Sequence, residues 1–297
     1  MNYPLLDPRN DLVFKMLFAN SLPLLTDLIN AVRSTEPPIS VESVQNPRIE
    51  AEEWHGKFVI LDILAKDERG HYFNIEMQMC KREQWSASSM VYLAKTLSSQ
   101  LKASDQYAAI KPVIGIHLLN YDLLPDPSQA IWCFEMRDRT KPAITLGPEL
   151  QLNIVELAKA DRLATLASAP GTTRNSLDAK LTALSAWITW FAHWNEENIM
   201  NQIAHPPILE AMQQLKMLSS DDETRRLAEV RERALMSERT EIEAALAKGT
   251  ELGKELGKEL GMELGMELGA AKAKAEALQA MIDDGIPEAR ARAILHL

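Results

Sequence analysis

Two carboxylates set inside apolar, strand-like runs carry the chemistry this chain can be expected to do. The stretch "FNIEMQM" (residues 73–79) alternates Phe73, Ile75, Met77 and Met79 with Asn74, Glu76 and Gln78, and the preceding "KFVILDILAKDERG" (57–70) holds Asp62 inside its apolar run. Strict alternation is the period of a β-strand. Between the runs, "DERG" suits a three-residue loop, Glu68-Arg69-Gly70, with glycine at the left-handed position. Asp67 then pairs with His71, and at equal distance outward Asp62 falls opposite Glu76, with Cβ atoms about 4.5–5.5 Å apart. The other face of this hairpin is wholly apolar: Val59, Leu61, Ile63 and Ala65 against Phe73, Ile75, Met77 and Met79. Like charges directly opposite destabilise a sheet, and burying them unpaired costs more. A hard divalent cation removes that cost, since Mg²⁺ is typically held by one or two carboxylates plus waters and substrate phosphate. The bland alternative is a solvated polar hairpin face, and spacing alone leaves both readings open.

The elements that must position these groups read as a mixed α/β layer. Residues 8–33 look helical, with Leu12, Val13, Met16 and Leu17 at helical spacing, Ser21 as an N-cap and Pro23 in the first turn that follows. Strands are expected around 40–45, 57–66 and 71–79, then a helix over 83–103. "KPVIGIHLL" and "AIWCFEMRD" read as two more strands, and 149–155 as a further one. Beyond 156 the chain looks helical, and the aromatics of "LTALSAWITWFAHW" read as core. From Glu251 the triplet Glu-Leu-Gly recurs at a four-residue period, lining up Leu252, Leu256, Leu260, Leu264 and Leu268. Four residues advance about 400° on a helix, so this line drifts about 40° per repeat. Glycine at every fourth position costs about 1 kcal/mol each relative to alanine. Two readings stand: an oligomerising helix with close backbone approach, or a spacer without specific packing. The end, "ALQAMIDDGIPEARARAILHL", reads as two short helices around a Gly-Ile-Pro turn. The expected division is 1–155, 156–245 and 246–297.

Composition narrows the function classes. At 297 residues the chain can hold one substantial core and a second module. No run of about 18 apolar residues is present, so no membrane span is expected, and the opening "MNYPLLDPRNDLVF" lacks the pattern of a signal peptide. Cys80 and Cys133 give neither a disulfide framework nor metal-site spacing, which points to a reducing, cytoplasmic location. The net charge of −10 argues against a generally basic nucleic-acid binder but not against an enzyme with a locally positive groove.

An acid on one strand, an acid-x-polar motif on the next, and a helix directly after it resemble the PD-(D/E)XK nuclease core. More closely, the chain resembles the Rpn family of recombination-promoting nucleases, also described as transposases. The matching stretches are "LDPRNDLVFKMLF", "LDILAKDERGHYFNIEMQ", "YLAKTLSSQL" and "KPVIGIHLL". The helical second half, with "NIVELAK", "ERALMSE" and the glycine-punctuated repeat, is also similar. The resemblance implies a restriction-endonuclease-like α/β fold, a mixed sheet flanked by helices with a helical C-terminal region. It also implies metal-dependent hydrolysis of DNA.

Carried onto this sequence, the family's catalytic pattern falls on Asp62, Glu76 and Gln78, with Asp62 and Glu76 as metal ligands. The third position of the wider superfamily is usually lysine; Gln78 positions water by hydrogen bonds without a charge. On the first helix Asp11 would add an outer metal contact and Lys15 a phosphate contact, a plain i, i+4 ion pair being the alternative. Lys81 and Arg82 would hold further phosphates. Mg²⁺ is the expected ion, with Mn²⁺ and Ca²⁺ as alternatives, and the expected partners are DNA and a second copy of the chain through the repeat tail. Two stretches depart from the pattern: Ser86, Ser88 and Ser89 stand where an arginine is expected, and "KASDQY" lacks a glycine before Tyr107. A nuclease-like binding protein with weak or no catalysis is the alternative function, and strand transfer by a transposase rests on the family label alone.

Overall fold

The structure, a computed structural model, describes residues 4–46, 62–81, 84–102, 106–167 and 183–297. The chain starts with helices α1 (Asp11–Ala19) and α2 (Leu22–Val32), which turn 110° from one another. Asn10 caps α1, its side chain accepting from the amides of Leu12 and Val13. Ser21 precedes α2 without capping it through its side chain, although a proline sits in the first turn as expected. Three strands follow, β1 (Val41–Val44), β2 (Ile63–Asp67) and β3 (Tyr72–Gln78), then α3 (Trp85–Ser98). Next come β4 (Val113–Leu119), β5 (Ile131–Glu135) and β6 (Leu150–Glu156). The remainder is helical: α4 (Leu157–Ala167), α5 (Ala183–His193), α6 (Glu197–Met200), α7 (Pro206–Ser220), α8 (Asp222–Asp283) and α9 (Glu288–Leu295).

The strands form one six-stranded mixed sheet in the order β1-β2-β3-β4-β6-β5. β2 and β3 are an antiparallel hairpin in the register expected from the loop, Ile63 facing Ile75 and Ala65 facing Phe73. Its turn closes by hydrogen bonds from the Asp67 amide to the His71 carbonyl and from the Gly70 amide to the Asp67 carbonyl. Gly70 has φ +84°, a left-handed backbone that glycine adopts without steric cost. β3 and β4 run parallel with α3 as the crossover, and β4 and β6 are also parallel.

Alternation along the strands sorts side chains onto two faces. One face carries Ile63, Ala65, Phe73, Ile75, Met77, Ile114, Ile116 and Leu118 into the main core. Helices α1, α2, α5 and α7 supply the facing layer, with Phe14 and Phe18 packed among Trp187, Trp190 and Phe191. The tryptophan-rich helix is therefore core, and its polar atoms are satisfied: Trp187 Nε1 donates to Asp27 Oδ2 at 2.7 Å. Because α5 and α7 pack on α1 and α2, which lie on the sheet, the first compact unit runs Met1–Ser237. The opposite face is covered by α3 through Trp85 and Leu93, packed with Val113, Leu119, Leu152 and Ile154. Gly115 permits that approach: a Cβ there would lie 2.9 Å from Leu152 Cδ1 and 3.2 Å from Leu93 Cδ1.

The second unit, Glu238–Leu297, is helical. Within it the repeat is part of α8, and its leucines are 56–63% exposed from Leu252 to Leu268. Gly285, at φ +85°, ends α8 with the Ile286 amide reaching back to the Met281 carbonyl at 3.0 Å, a glycine-terminated helix end. Among the described residues no single helix is long and apolar enough to cross a membrane.

Candidate active site

The polar side of the β2–β3 hairpin is buried, which removes the reading of it as a solvated face. Asn74, Glu76 and Gln78 are all buried beneath α3, while Asp62, one step beyond β2, is half-buried. Extending the observed pairing by one residue sets Asp62 across from Glu76. On the other side of β3, Glu76 is the direct partner of His117 on β4. Glu76 therefore lies between one strand carrying an acid and another carrying an imidazole.

Each carboxylate is oriented by an amide on its own face. Gln78 Nε2 donates to Glu76 Oε1 at 2.6 Å, and Tyr121 Oη donates to Gln78 Oε1 at 2.7 Å. This relay fixes which end of the Gln78 amide faces Glu76, and leaves Gln78 with one N–H and one lone pair for other partners. Asn74 Nδ2 donates a short hydrogen bond to Asp62 Oδ2. Asn46 closes the far side, donating through Nδ2 to the Asp62 carbonyl at 3.1 Å and accepting from the Leu64 amide at 2.7 Å. Burial pushes the Asp62 carboxyl above its usual value; the Asn74 hydrogen bond opposes this, Glu76 adds to it, and Lys15 opposes it. Burial is therefore the main cause, with the neighbouring Glu76 acting in the same direction.

The other expected site residues divide. Lys15 is only 1% exposed and acts on Asp62 electrostatically, so it is placed to offset the acid pair and not to reach out to a phosphate. Asp11 is buried against Arg231 of α8, whose Nε lies 2.8 Å from Oδ1 and 3.1 Å from Oδ2, with Nη2 closing the fork. A carboxylate so engaged has its lone pairs filled by a guanidinium, and the pair serves to tie α1 to α8. The side-chain partner of Asp11 is thus Arg231 and not Lys15. Lys81 is exposed just past the end of β3, and Arg82 lies outside the described residues. The outer hairpin positions Val59 and Leu61 are outside them too.

Asn46, Tyr121 and His117 belong to this site but were not singled out by spacing. His117 had a signal, as the one titratable side chain inside the apolar run "VIGIHLL". Asn46 and Tyr121 had none, being single polar residues in loops.

As to a metal, Asp62 and Glu76 fit a hard divalent ion: two carboxylates on one face, one of them resisting ionisation in the ion's absence. Among the described residues no three His, Cys, Asp or Glu side chains are gathered to hold an ion by themselves. The remaining positions around an ion at this pair would fall to solvent and substrate oxygens.

A family profile matches residues 8–245 of the 297, a span that includes α1, the hairpin, α3, β4 and the start of α8. Neither the curated proteins nor the solved structures gave a match to the chain. With a mixed six-stranded sheet flanked by helices and most of the chain covered by the profile, the chain belongs to the family described as PD-(D/E)XK nuclease family transposase.

Proposed function

We propose that this protein is a divalent-metal-dependent DNA endonuclease that hydrolyses phosphodiester bonds and thereby promotes recombination. The observation that carries this reading is that the hairpin register sets Asp62 and Glu76 opposite each other on one polar face, each held by its own amide. Asp62 and Glu76 would hold the ion, Mg²⁺ first, with Mn²⁺ and Ca²⁺ as alternatives. When bound, such an ion supplies a Lewis acid that lowers the pKa of an attacking water and offsets charge on the phosphate. Gln78, held by Tyr121 and Glu76, keeps one N–H and one lone pair with which to orient that water. Lys81 and Arg82 would contact backbone phosphates, giving affinity that falls steeply with salt and carries little base specificity. Two cysteines at positions 80 and 133, too few for a disulfide framework, would suit a reducing, cytoplasmic setting.

The exposed leucine column of the repeat supports self-association through the tail, since a second copy would cover it. A second reading, a nuclease-like DNA- or protein-binding module with weak or no catalysis, draws on the neutral Gln78 where a lysine would supply charge. Plasmid nicking with and without divalent metal, on wild type and Asp62→Ala, separates the two. The nuclease reading expects cleavage by the wild type only with metal, and none by the variant. Metal binding without cleavage of any DNA tested supports the binding module instead.

A further inference from the structure

Of the seven buried side-chain nitrogen and oxygen atoms without a hydrogen-bond partner among the described residues, three belong to two rings in contact, His117 (Nδ1 and Nε2) and Trp85 (Nε1), and His117 is the strand neighbour of Glu76. His117 is 1% exposed, and the Trp85 ring meets it edge-on with centroids 5.1 Å apart. An imidazole buried this deeply with both nitrogens unserved calls for an explanation, because such groups are nearly always paired. Its Nδ1 lies 3.1 Å from Glu76 Oε2, yet the contact is not aligned as a hydrogen bond. Neighbouring strands are about 4.8 Å apart, so partners on one face are held side by side by the sheet itself. Their approach follows from register, since Glu76 pairs directly with His117.

Two ligands bound at adjacent positions on one ion, each about 2.1 Å from it, stand about 3.0 Å apart. The separation of Nδ1 and Oε2 is that of one edge of a coordination shell, and both atoms present lone pairs when the imidazole proton is on Nε2. We propose that His117 Nδ1 is a ligand of the divalent ion, sharing it with Glu76 Oε2. The inference rests on the metal-dependent reading above and adds a nitrogen ligand to it. Asp62 stays turned to Asn74 and Asn46, so the Glu76–His117 edge is the assembled part of the site. A nitrogen ligand changes the ion preference: imidazole raises affinity for first-row transition ions, while Mg²⁺ and Ca²⁺ gain little from it. The site then ranks Mn²⁺ and Co²⁺ above Ca²⁺, and His117 is the residue that sets the ranking.

The test is pulsed paramagnetic resonance of Mn²⁺ added to the full-length protein, grown with ¹⁴N- or ¹⁵N-labelled histidine. Wild type should show a nitrogen coupling that changes with the histidine isotope, and no variant is needed for that result. His117→Asn should lose the coupling and weaken Mn²⁺ binding by calorimetry on the order of 10- to 100-fold, with a smaller change for Ca²⁺. Mn²⁺ that binds wild type, is lost in Glu76→Gln, and shows no histidine coupling would overturn the nitrogen ligand while leaving the carboxylate site intact. Absence of any divalent-ion binding would overturn both readings together.

Discussion

Two buried glutamates on the same sheet differ in how fully the protein satisfies them. Glu156, at the end of β6, is fully buried and receives four donors: the Leu123 and Leu124 amides, Trp132 Nε1 at 2.8 Å and Lys159 Nζ at 2.7 Å. Lys159 in turn donates to the Leu124 and Asp126 carbonyls, so the cluster pins the loop after β4. Burial works against the Glu156 carboxylate, but Lys159 and the Leu124, Trp132 and Leu123 donors outweigh it and hold its pKa below the ordinary range. Glu76 is nearly as buried but has one aligned donor, Gln78, while its second oxygen faces a histidine without a hydrogen bond. Asp62 beside it is driven the opposite way from Glu156, by burial first. The same residue type is thus saturated by the protein in one place and left under-filled in the other. The under-filled acid is the one with capacity for an ion.

The largest effect should come from breaking the saturated site. Glu156→Gln leaves Lys159 buried without its counter-charge and should lower stability by roughly 3–5 kcal/mol in urea unfolding. Its pH dependence has a definite sign. With its folded pKa depressed, Glu156 contributes stability that is present above the ordinary carboxyl value and lost as pH falls through the folded value. Wild type should therefore lose stability on acidification more steeply than Glu156→Gln, as followed by thermal melts across pH.

At the under-filled site the signs reverse. Asp62 has a raised folded pKa, so the folded state holds its proton more tightly, and stability is lost as pH rises from the ordinary carboxyl value to the folded one. Without metal, Asp62→Asn should melt above wild type at neutral pH, and the gap should close as pH is lowered. Saturating divalent ion should erase this ordering, stabilising only the wild type, by about 2.7 kcal/mol at a hundred times Kd. A metal-free Asp62→Asn variant less stable than wild type at neutral pH would mean that the acid pair is not strained at all.

A smaller effect is expected one bond further out. Tyr121→Phe removes the donor that sets the Gln78 amide and should cost about 0.5–1.5 kcal/mol in stability. It should slow cleavage while leaving metal affinity nearly unchanged, which single-turnover assays and calorimetry read separately. Least affected should be the chemistry of a chain lacking Glu251–Gly269. Light scattering should report a smaller assembly, and metal-dependent cleavage should persist. Complete loss of cleavage by a still-folded core would join the tail to the chemistry.

Much of this was legible locally. The loop "DERG" fixed the hairpin register, because a left-handed glycine at the third loop position leaves one pairing, and that pairing put Asp62 opposite Glu76. The two-faced alternation on β3 was equally readable. Burial of its polar face was not, since that depends on α3 lying over Gly115 and on the parallel strand β4. Asp11 and Lys15 show the limit most clearly. The resemblance put an outer metal contact on Asp11 and a phosphate contact on Lys15, with an i, i+4 ion pair as the alternative. Instead Asp11 is held by Arg231, 220 positions away, and Lys15 is buried where it acts on Asp62. Long-range partners of this kind leave no periodic trace. In the same way α5 and α7 join the core by packing on α1 and α2, so the first compact unit runs on through residue 155 to Ser237.

The claim that an acid pair waits for an ion is tested most directly by calorimetric titration of Mg²⁺ and Mn²⁺ into wild type and Glu76→Gln. Glu76→Gln keeps the shape and hydrogen-bonding reach of the side chain and removes one charge, so its metal-free fold should be as stable as wild type or slightly more so. The account predicts saturable binding of one ion by wild type and its loss in the variant. Equal binding by both proteins, or no binding by either, would contradict it.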